Sequence, residues 1–99
     1  MFGLFSKKKK QTIDRYLKEG AQLVDVRTSS EFNSDHIIGS KNIPVQGFDQ
    51  KIETLDKSKP VIVYCAMGGR SNIAASKLKS KGFKVVNAGG IGSMRKHLK

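Results

Sequence analysis

The stretch Val61-Ile62-Val63-Tyr64-Cys65-Ala66-Met67-Gly68-Gly69-Arg70-Ser71-Asn72 constrains this chain more than any other. An apolar, β-branched run with the strongest strand character in the sequence stops at its single cysteine. A glycine pair, an arginine and a helix-like segment follow. A strand that delivers one thiol into a tight loop at the start of a helix is a way to hold a thiolate. Successive backbone N–H groups in such a loop form an anion-binding concavity, and the helix N-terminus adds positive potential. Together they lower a cysteine pKa from about 8.5 towards values where the thiolate dominates at neutral pH. A lone cysteine ending a strand is usually a small buried hydrophobe. Gly-Gly-Arg-Ser at the strand–helix junction turns the reading towards a nucleophile.

The rest of the chain alternates. Residues 1–10, with Lys7-Lys8-Lys9-Lys10, read as a basic, solvated, flexible tail ahead of a domain spanning 11–99. A sharper reading lets Phe2, Leu4 and Phe5 dip into a membrane surface while the lysines meet anionic lipid. Thr12 is placed to cap a helix over Ile13 to Glu19 that stops at Gly20. Gln22 to Val26 reads as a buried strand, and Thr28-Ser29-Ser30-Glu31 as a capping box opening a short helix. Lys41 to Pro44 is a brief extended piece. Phe48 to Leu55 is expected to be a helix packing Phe48, Ile52 and Leu55. After the strand Val61 to Tyr64, Ser71 to Lys81 is helical, with Ile73, Ala74, Ala75 and Leu78 inward and Gly82 as the stop signal. Phe83 to Asn87 is a further strand, Ala88 to Ser93 a glycine-rich loop, and Met94 to Leu98 a last helix.

Strands alternating with helices, without hairpin signals, predict an α/β domain with a mostly parallel sheet. Ligand sites in such sheets form at the carboxyl ends of the strands, where Asp25, Cys65 and Gly89-Gly90 all fall. Ninety-nine residues suit one modest core. One cysteine excludes an internal disulfide or a site of several thiolates, and His36 and His97 lack ligand-like spacing, so no metal is expected. No run approaches the roughly 20 apolar residues needed to span a bilayer. The lysines follow the short apolar N-terminus, the reverse of a secretory signal, so a cytoplasmic protein is expected. The formal charge of +11 is uneven: residues 61–99 hold eight Lys or Arg and no Asp or Glu. A basic field of that kind raises the local concentration of small anions. Nucleic acid is not the expected partner, because the aromatics are scattered in core-like positions rather than set as stacking platforms.

Four segments in order carry a resemblance. Leu23-Val24-Asp25-Val26-Arg27-Thr28-Ser29-Ser30-Glu31-Phe32 resembles the opening segment of rhodanese-like domains. His36-Ile37-Ile38-Gly39-Ser40-Lys41-Asn42-Ile43-Pro44 resembles the following histidine–glycine–proline stretch, although Ile38-Gly39-Ser40 stands where Pro-Gly-Ala is common. Cys65-Ala66-Met67-Gly68-Gly69-Arg70-Ser71 resembles the active-site loop, and Gly89-Gly90-Ile91 the closing glycine motif, with Met94 or a neighbour where an aromatic is common. The likeness covers roughly residues 12–98. It implies a three-layer α/β/α fold with a mostly parallel sheet of four to five strands, and a single-domain sulfurtransferase.

By that resemblance, Cys65 attacks the outer sulfur of thiosulfate or another small anionic sulfane donor, releases sulfite and carries the sulfur as a persulfide. The persulfide passes it to a thiol or protein acceptor, with no cofactor beyond that covalent intermediate. Loop N–H groups from Ala66, Met67, Gly68, Gly69 and Arg70 are expected to stabilise thiolate and persulfide, with Gly68 and Gly69 at positive φ. The Arg70 fork suits a sulfonate-type oxyanion. Asp25, Arg27 and Ser71 are expected to support the loop, with Arg27 placed to pair with Glu31. His36 is expected to be a hydrogen-bonded structural residue. Four residues separate Cys65 from Arg70, one fewer than in related phosphatases, which favours sulfur over phosphate. A monomer is expected. The alternatives are a persulfide carrier or interaction module without turnover of its own and, behind it, a phosphatase or arsenate reductase.

Overall fold

The computed structural model describes residues 2–98. Strand β3, Val61–Cys65, is buried along its whole length. It lies between β1, Gln22–Asp25, and β4, Val85–Gly90, and runs parallel to both. A two-residue strand β2, Lys41–Asn42, adds to the far side of β1, also parallel, for a sheet order of β2-β1-β3-β4. A strand apolar at every position is stable only where both sheet faces are covered. Val61, Val63 and Cys65 join Val24 and Val26 in a core closed by Ala74 and Leu78 of helix α3, Gly69–Ser80. Ile62 and Tyr64 point the other way, against Ile13 and Tyr16 of helix α1, Phe2–Lys18, and Met94 of helix α4, Ile91–His97. Helices therefore sandwich a four-stranded, all-parallel sheet, and the expected three-layer α/β/α architecture holds. The short helix α2, Ser29–Ser34, carries the capping box read from sequence: Thr28 Oγ1 accepts from the Glu31 amide, and the Glu31 carboxylate accepts from the Thr28 amide.

The order 2-1-3-4 has a consequence for the site. The chain leaves β1 towards β2 and leaves β3 in the opposite direction towards β4. The connections diverge between the carboxyl ends of β1 and β3, and a crevice opens there. Asp25 and Cys65 terminate these two strands.

Several local expectations are corrected. Thr12 does not start a helix, and the lysine run is not an irregular tail: α1 begins at Phe2, and the Thr12 hydroxyl donates to the Lys8 carbonyl at 3.0 Å within it. Lysine is a good helix former, nothing between Lys7 and Gln11 breaks the repeat, and Lys10 pairs with Asp14 one turn on. Lys7 to Lys10 are exposed, as a solvated segment requires. The side chains of Phe2, Leu4 and Phe5 lie outside the described part. Phe48 to Leu55 is two 3₁₀ turns, Phe48–Gln50 and Ile52–Thr54, rather than one helix; Phe48, Ile52 and Leu55 are nonetheless buried. Gly47 at φ 83° sets the entry to the first turn, and Lys51 joins the two. Helix α3 starts at Gly69, two residues early, and Ile73 is 50% exposed, with Ala74 and Leu78 carrying the inward face. The glycine-rich segment is not wholly loop, since Gly89 and Gly90 complete β4, and α4 starts at Ile91. Among the described residues no helix is long and apolar enough to cross a membrane.

Leu78 is fully buried where α3 meets the sheet. Leu78→Ala should cost about 2–5 kcal/mol of unfolding free energy, read from urea titration, by lost transfer energy and the cavity left behind.

Candidate active site

Cys65 is 1% exposed at the end of β3, and its sulfur lies under the loop that follows. The Gly68 amide donates to Sγ at 2.9 Å, and the Ser71 hydroxyl lies 3.4 Å from it. Gly68 holds φ 105° immediately before α3, a left-handed conformation that turns its N–H back onto the sulfur. Gly69 does not share it: it is the first residue of α3 and has no positive φ. Burial pushes the Cys65 thiol up. The Ser71 hydroxyl and the backbone N–H groups of Ser71, Gly68 and Met67 oppose that push, and the net shift is downward from the ordinary thiol value. The Ser71 hydroxyl is the largest of these donors, and the Arg70 guanidinium also interacts with the charge on the sulfur.

The close of the loop depends on β4. A Cβ at Gly90 would come within 2.5 Å of the Ala66 carbonyl oxygen, so only glycine lets β4 pass this near. A Cβ on Gly68 would stand 3.4 Å from the Gly89 Cα, so the two glycine motifs pack against each other. Asn87, which sequence reading passed over, ties them: its Nδ2 donates to the Gly68 carbonyl at 3.2 Å, and its Oδ1 accepts from the Gly89 amide at 2.8 Å. The same Oδ1 is 2.7 Å from the Ser71 hydroxyl. Ser71 has one hydroxyl proton and three acceptors within reach: the sulfur, the Gly68 carbonyl and Asn87. An asparagine inside a strand-like run, with a glycine two residues on, was the available signal.

The neighbouring wall comes from β1. Asp25 is fully buried and Arg27 is 7% exposed. The Arg27 guanidinium donates to the Asp25 carboxylate, Nη2 to Oδ2 at 2.8 Å, and the Arg27 amide donates to Oδ1 at 2.9 Å. Its partner is therefore Asp25 and not Glu31. Glu31 reaches the cysteine loop: Arg70 Nη1 and Nη2 donate to Glu31 Oε1 and Oε2 at 2.7 and 3.1 Å. The Arg70 fork, expected to stand ready for an oxyanion, is engaged by a carboxylate. The Arg70 hydrogen bonds, with the Thr28 amide beside them, hold the Glu31 carboxyl at about 2. A recess of about 60 Å³ borders Arg70, lined by Val26, Thr28, Pro44, Val45 and Gln46. His36 stacks on Phe32 and bonds the Phe32 carbonyl through Nδ1 at 2.8 Å, a structural arrangement.

Residues 9–96 match the family description "Rhodanese-like domain". The chain belongs to the rhodanese-like domain family. It is 42% identical over 62 residues to "Uncharacterized protein YqhL" of Bacillus subtilis (strain 168), covering 63% of this chain and 49% of that protein. It is 32% identical over 82 residues to "Thiosulfate sulfurtransferase GlpE" of Coxiella burnetii (strain RSA 331 / Henzerling II), covering 81% and 77% of the two. A solved structure described as "rhodanese with anions from E. coli" superposes with a TM-score of 0.69 at 34% identity, over 74% of this chain and 89% of that one. The chain spans about half or less of the length of the first curated relatives it matches.

In this rhodanese-like domain, Ser71→Ala should raise the Cys65 pKa. Thiolate absorbance at 240 nm followed against pH reads it directly, since the chain has one cysteine. Gly90→Ala should lower stability in urea titration and raise the same pKa, because the atom that must give way is a backbone oxygen of the cysteine loop.

Proposed function

We propose that this rhodanese-like domain is a sulfurtransferase in which Cys65 carries sulfane sulfur as a persulfide. The observation that carries the reading is the Cys65 sulfur at the strand–helix junction, 2.9 Å from the Gly68 amide, with its pKa held down by loop donors. A thiolate is the competent nucleophile for a sulfane sulfur. With thiosulfate, the thiolate bonds to the outer sulfur, the S–S bond of the donor breaks, and sulfite leaves with the bonding pair. The product is a Cys65 persulfide anion, whose charge rests on the same N–H groups that held the thiolate. A thiolate acceptor then attacks the terminal sulfur and leaves as a persulfide, and Cys65 returns as the thiolate. The sulfurtransferase name carried by the GlpE relative supports the assignment. We further read the protein as a cytoplasmic monomer, acting without metal or organic cofactor and without nucleic acid, on a small sulfur donor and a thiol or protein acceptor.

Incubation with thiosulfate, followed by intact mass measurement, should show one added sulfur that is absent in Cys65→Ser, and cyanide should then release thiocyanate. No added sulfur from thiosulfate or from any persulfide donor would sink the reading. A second reading, a persulfide carrier loaded by a partner, is favoured by one observation: Arg70 is already engaged by Glu31. Loading by a partner with feeble turnover of free thiosulfate would distinguish it.

A further inference from the structure

We propose that Glu31 selects the sulfur donor: by closing the Arg70 fork it disfavours oxyanion donors such as thiosulfate and leaves the site to persulfides. The inference rests on the sulfurtransferase reading and assigns its substrate class. Between Cys65 and Ser71, Arg70 is the single cationic side chain. It is therefore the loop's one candidate to receive a sulfonate head. Two parallel hydrogen bonds at 2.7 and 3.1 Å occupy the end-on edge of its guanidinium, the geometry in which Arg binds carboxylates and other oxyanions best. An incoming dianion must displace a carboxylate from that edge or settle beside it, against its charge. Like-charge placement of this kind is how a site rejects the wrong ligand.

Glu31 is well fixed for the role. It is the third residue of the α2 capping box, so its Oε1 also accepts from the Thr28 amide at 2.9 Å and from the Thr28 hydroxyl at 3.1 Å. The carboxylate is thus oriented from its own helix before Arg70 meets it. It stays ionised through the neutral range, since its carboxyl is held at about 2. A persulfide donor carries no sulfonate and needs no such fork. The Cys65 thiolate bonds to its outer sulfur, its S–S bond breaks, and the donor leaves as a thiolate with the electron pair. The charge that remains on Cys65 is met at hydrogen-bond distance by the Ser71 hydroxyl and the loop N–H groups, with no need of a freed Arg70 edge. Glu31 is a positioning residue: it acts through Arg70 and not on the reacting sulfur.

Glu31→Gln separates its two tasks. Glutamine serves the capping box as glutamate does, so α2 keeps its cap, while the charge opposite Arg70 is removed. In Glu31→Gln the KM for thiosulfate should fall about tenfold, the size of one freed charge-assisted pair, with kcat little changed. The KM for the persulfide of 2-mercaptoethanol, which has no oxyanion head, should move less than about twofold on the same scale. Glu31→Gln/Arg70→Gln removes both charges and should return the thiosulfate KM to near its original value. Equal shifts for both donors, an unchanged or raised thiosulfate KM in Glu31→Gln, or a double variant much worse than the parent would each overturn the proposal. If Cys65 takes sulfur from neither donor, the sulfurtransferase reading fails, but calorimetric binding of thiosulfate to Cys65→Ser with and without Glu31→Gln still tests the charge argument. Tighter binding with glutamine supports it, and equal or weaker binding ends it.

Discussion

The buried Asp25–Arg27 pair is the interaction on which the arrangement around the cysteine depends. Both charges sit at the end of β1, in the crevice where the sheet connections diverge, Asp25 fully buried and Arg27 nearly so. A buried pair contributes little net stability when intact, but losing one partner leaves an uncompensated charge and costs about 3–5 kcal/mol. Its value lies in what it fixes. The Arg27 guanidinium also donates to the Asp35 carbonyl, so the chain leaving α2 is pinned under β1. Asn42 Nδ2 donates to the Asp25 and Arg27 carbonyls, both at 3.0 Å, and the Ile43 amide donates to the Asp25 carbonyl. The end of β1 is thus tied to the exit of β2 through the Asp25 and Arg27 carbonyls, and to the chain leaving α2 through the Arg27 guanidinium. The Val26 amide bonds the Tyr64 carbonyl, so this fixed edge sits one residue from Cys65.

Against that edge, the thiolate is controlled by backbone more than by charge. Gly68, Gly90 and Asn87 bring the cysteine loop and β4 into close contact, and the sulfur receives its donors from the resulting turn. Arrangements of this kind are hard to disturb by salt, since buried hydrogen bonds are screened much less than exposed ion pairs. They are sensitive to volume instead. A single methyl at Gly90 comes within 2.5 Å of the Ala66 carbonyl oxygen, so the backbone of the cysteine loop must shift.

What was legible in the sequence follows from how local each feature is. The β-branched run to Cys65, the capping box at Thr28 and the burial of Phe48, Ile52 and Leu55 are written in neighbouring residues, and the fold reproduces them. Helix boundaries fared less well. Glycine reads as a stop or a loop, yet Gly69 opens α3, and Gly90 ends a strand because its parallel pairing with Cys65 overrides local preference. The lysine run reads as a flexible tail, whereas it is continuous with α1, which is anchored at its other end by buried Ile13 and Tyr16. The pairing of Arg27 could not be settled by spacing: Asp25 and Glu31 both lie near it in sequence, and Arg70, 39 residues away, claims Glu31.

Charge shows the same limit most clearly. Residues 61–99 contain no acid, and taken alone they suggest a positive field around the cysteine. The parallel α/β winding interleaves that half with the first. Arg70 meets Glu31, Lys77 meets Asp49, Lys84 meets Glu19 and Arg95 meets Asp35, all within 3 Å at their closest. These exposed pairs contribute about 0–1 kcal/mol each to stability, so their importance is not energetic. They place a carboxylate beside each of four cations that sequence position had left unopposed. The net charge of +11 still acts at long range on any approaching anion. At contact distance from the cysteine loop, the cation that the anion would seek is already paired. Long-range attraction and short-range selection are therefore separate properties here, and only the first can be read by counting residues along the chain.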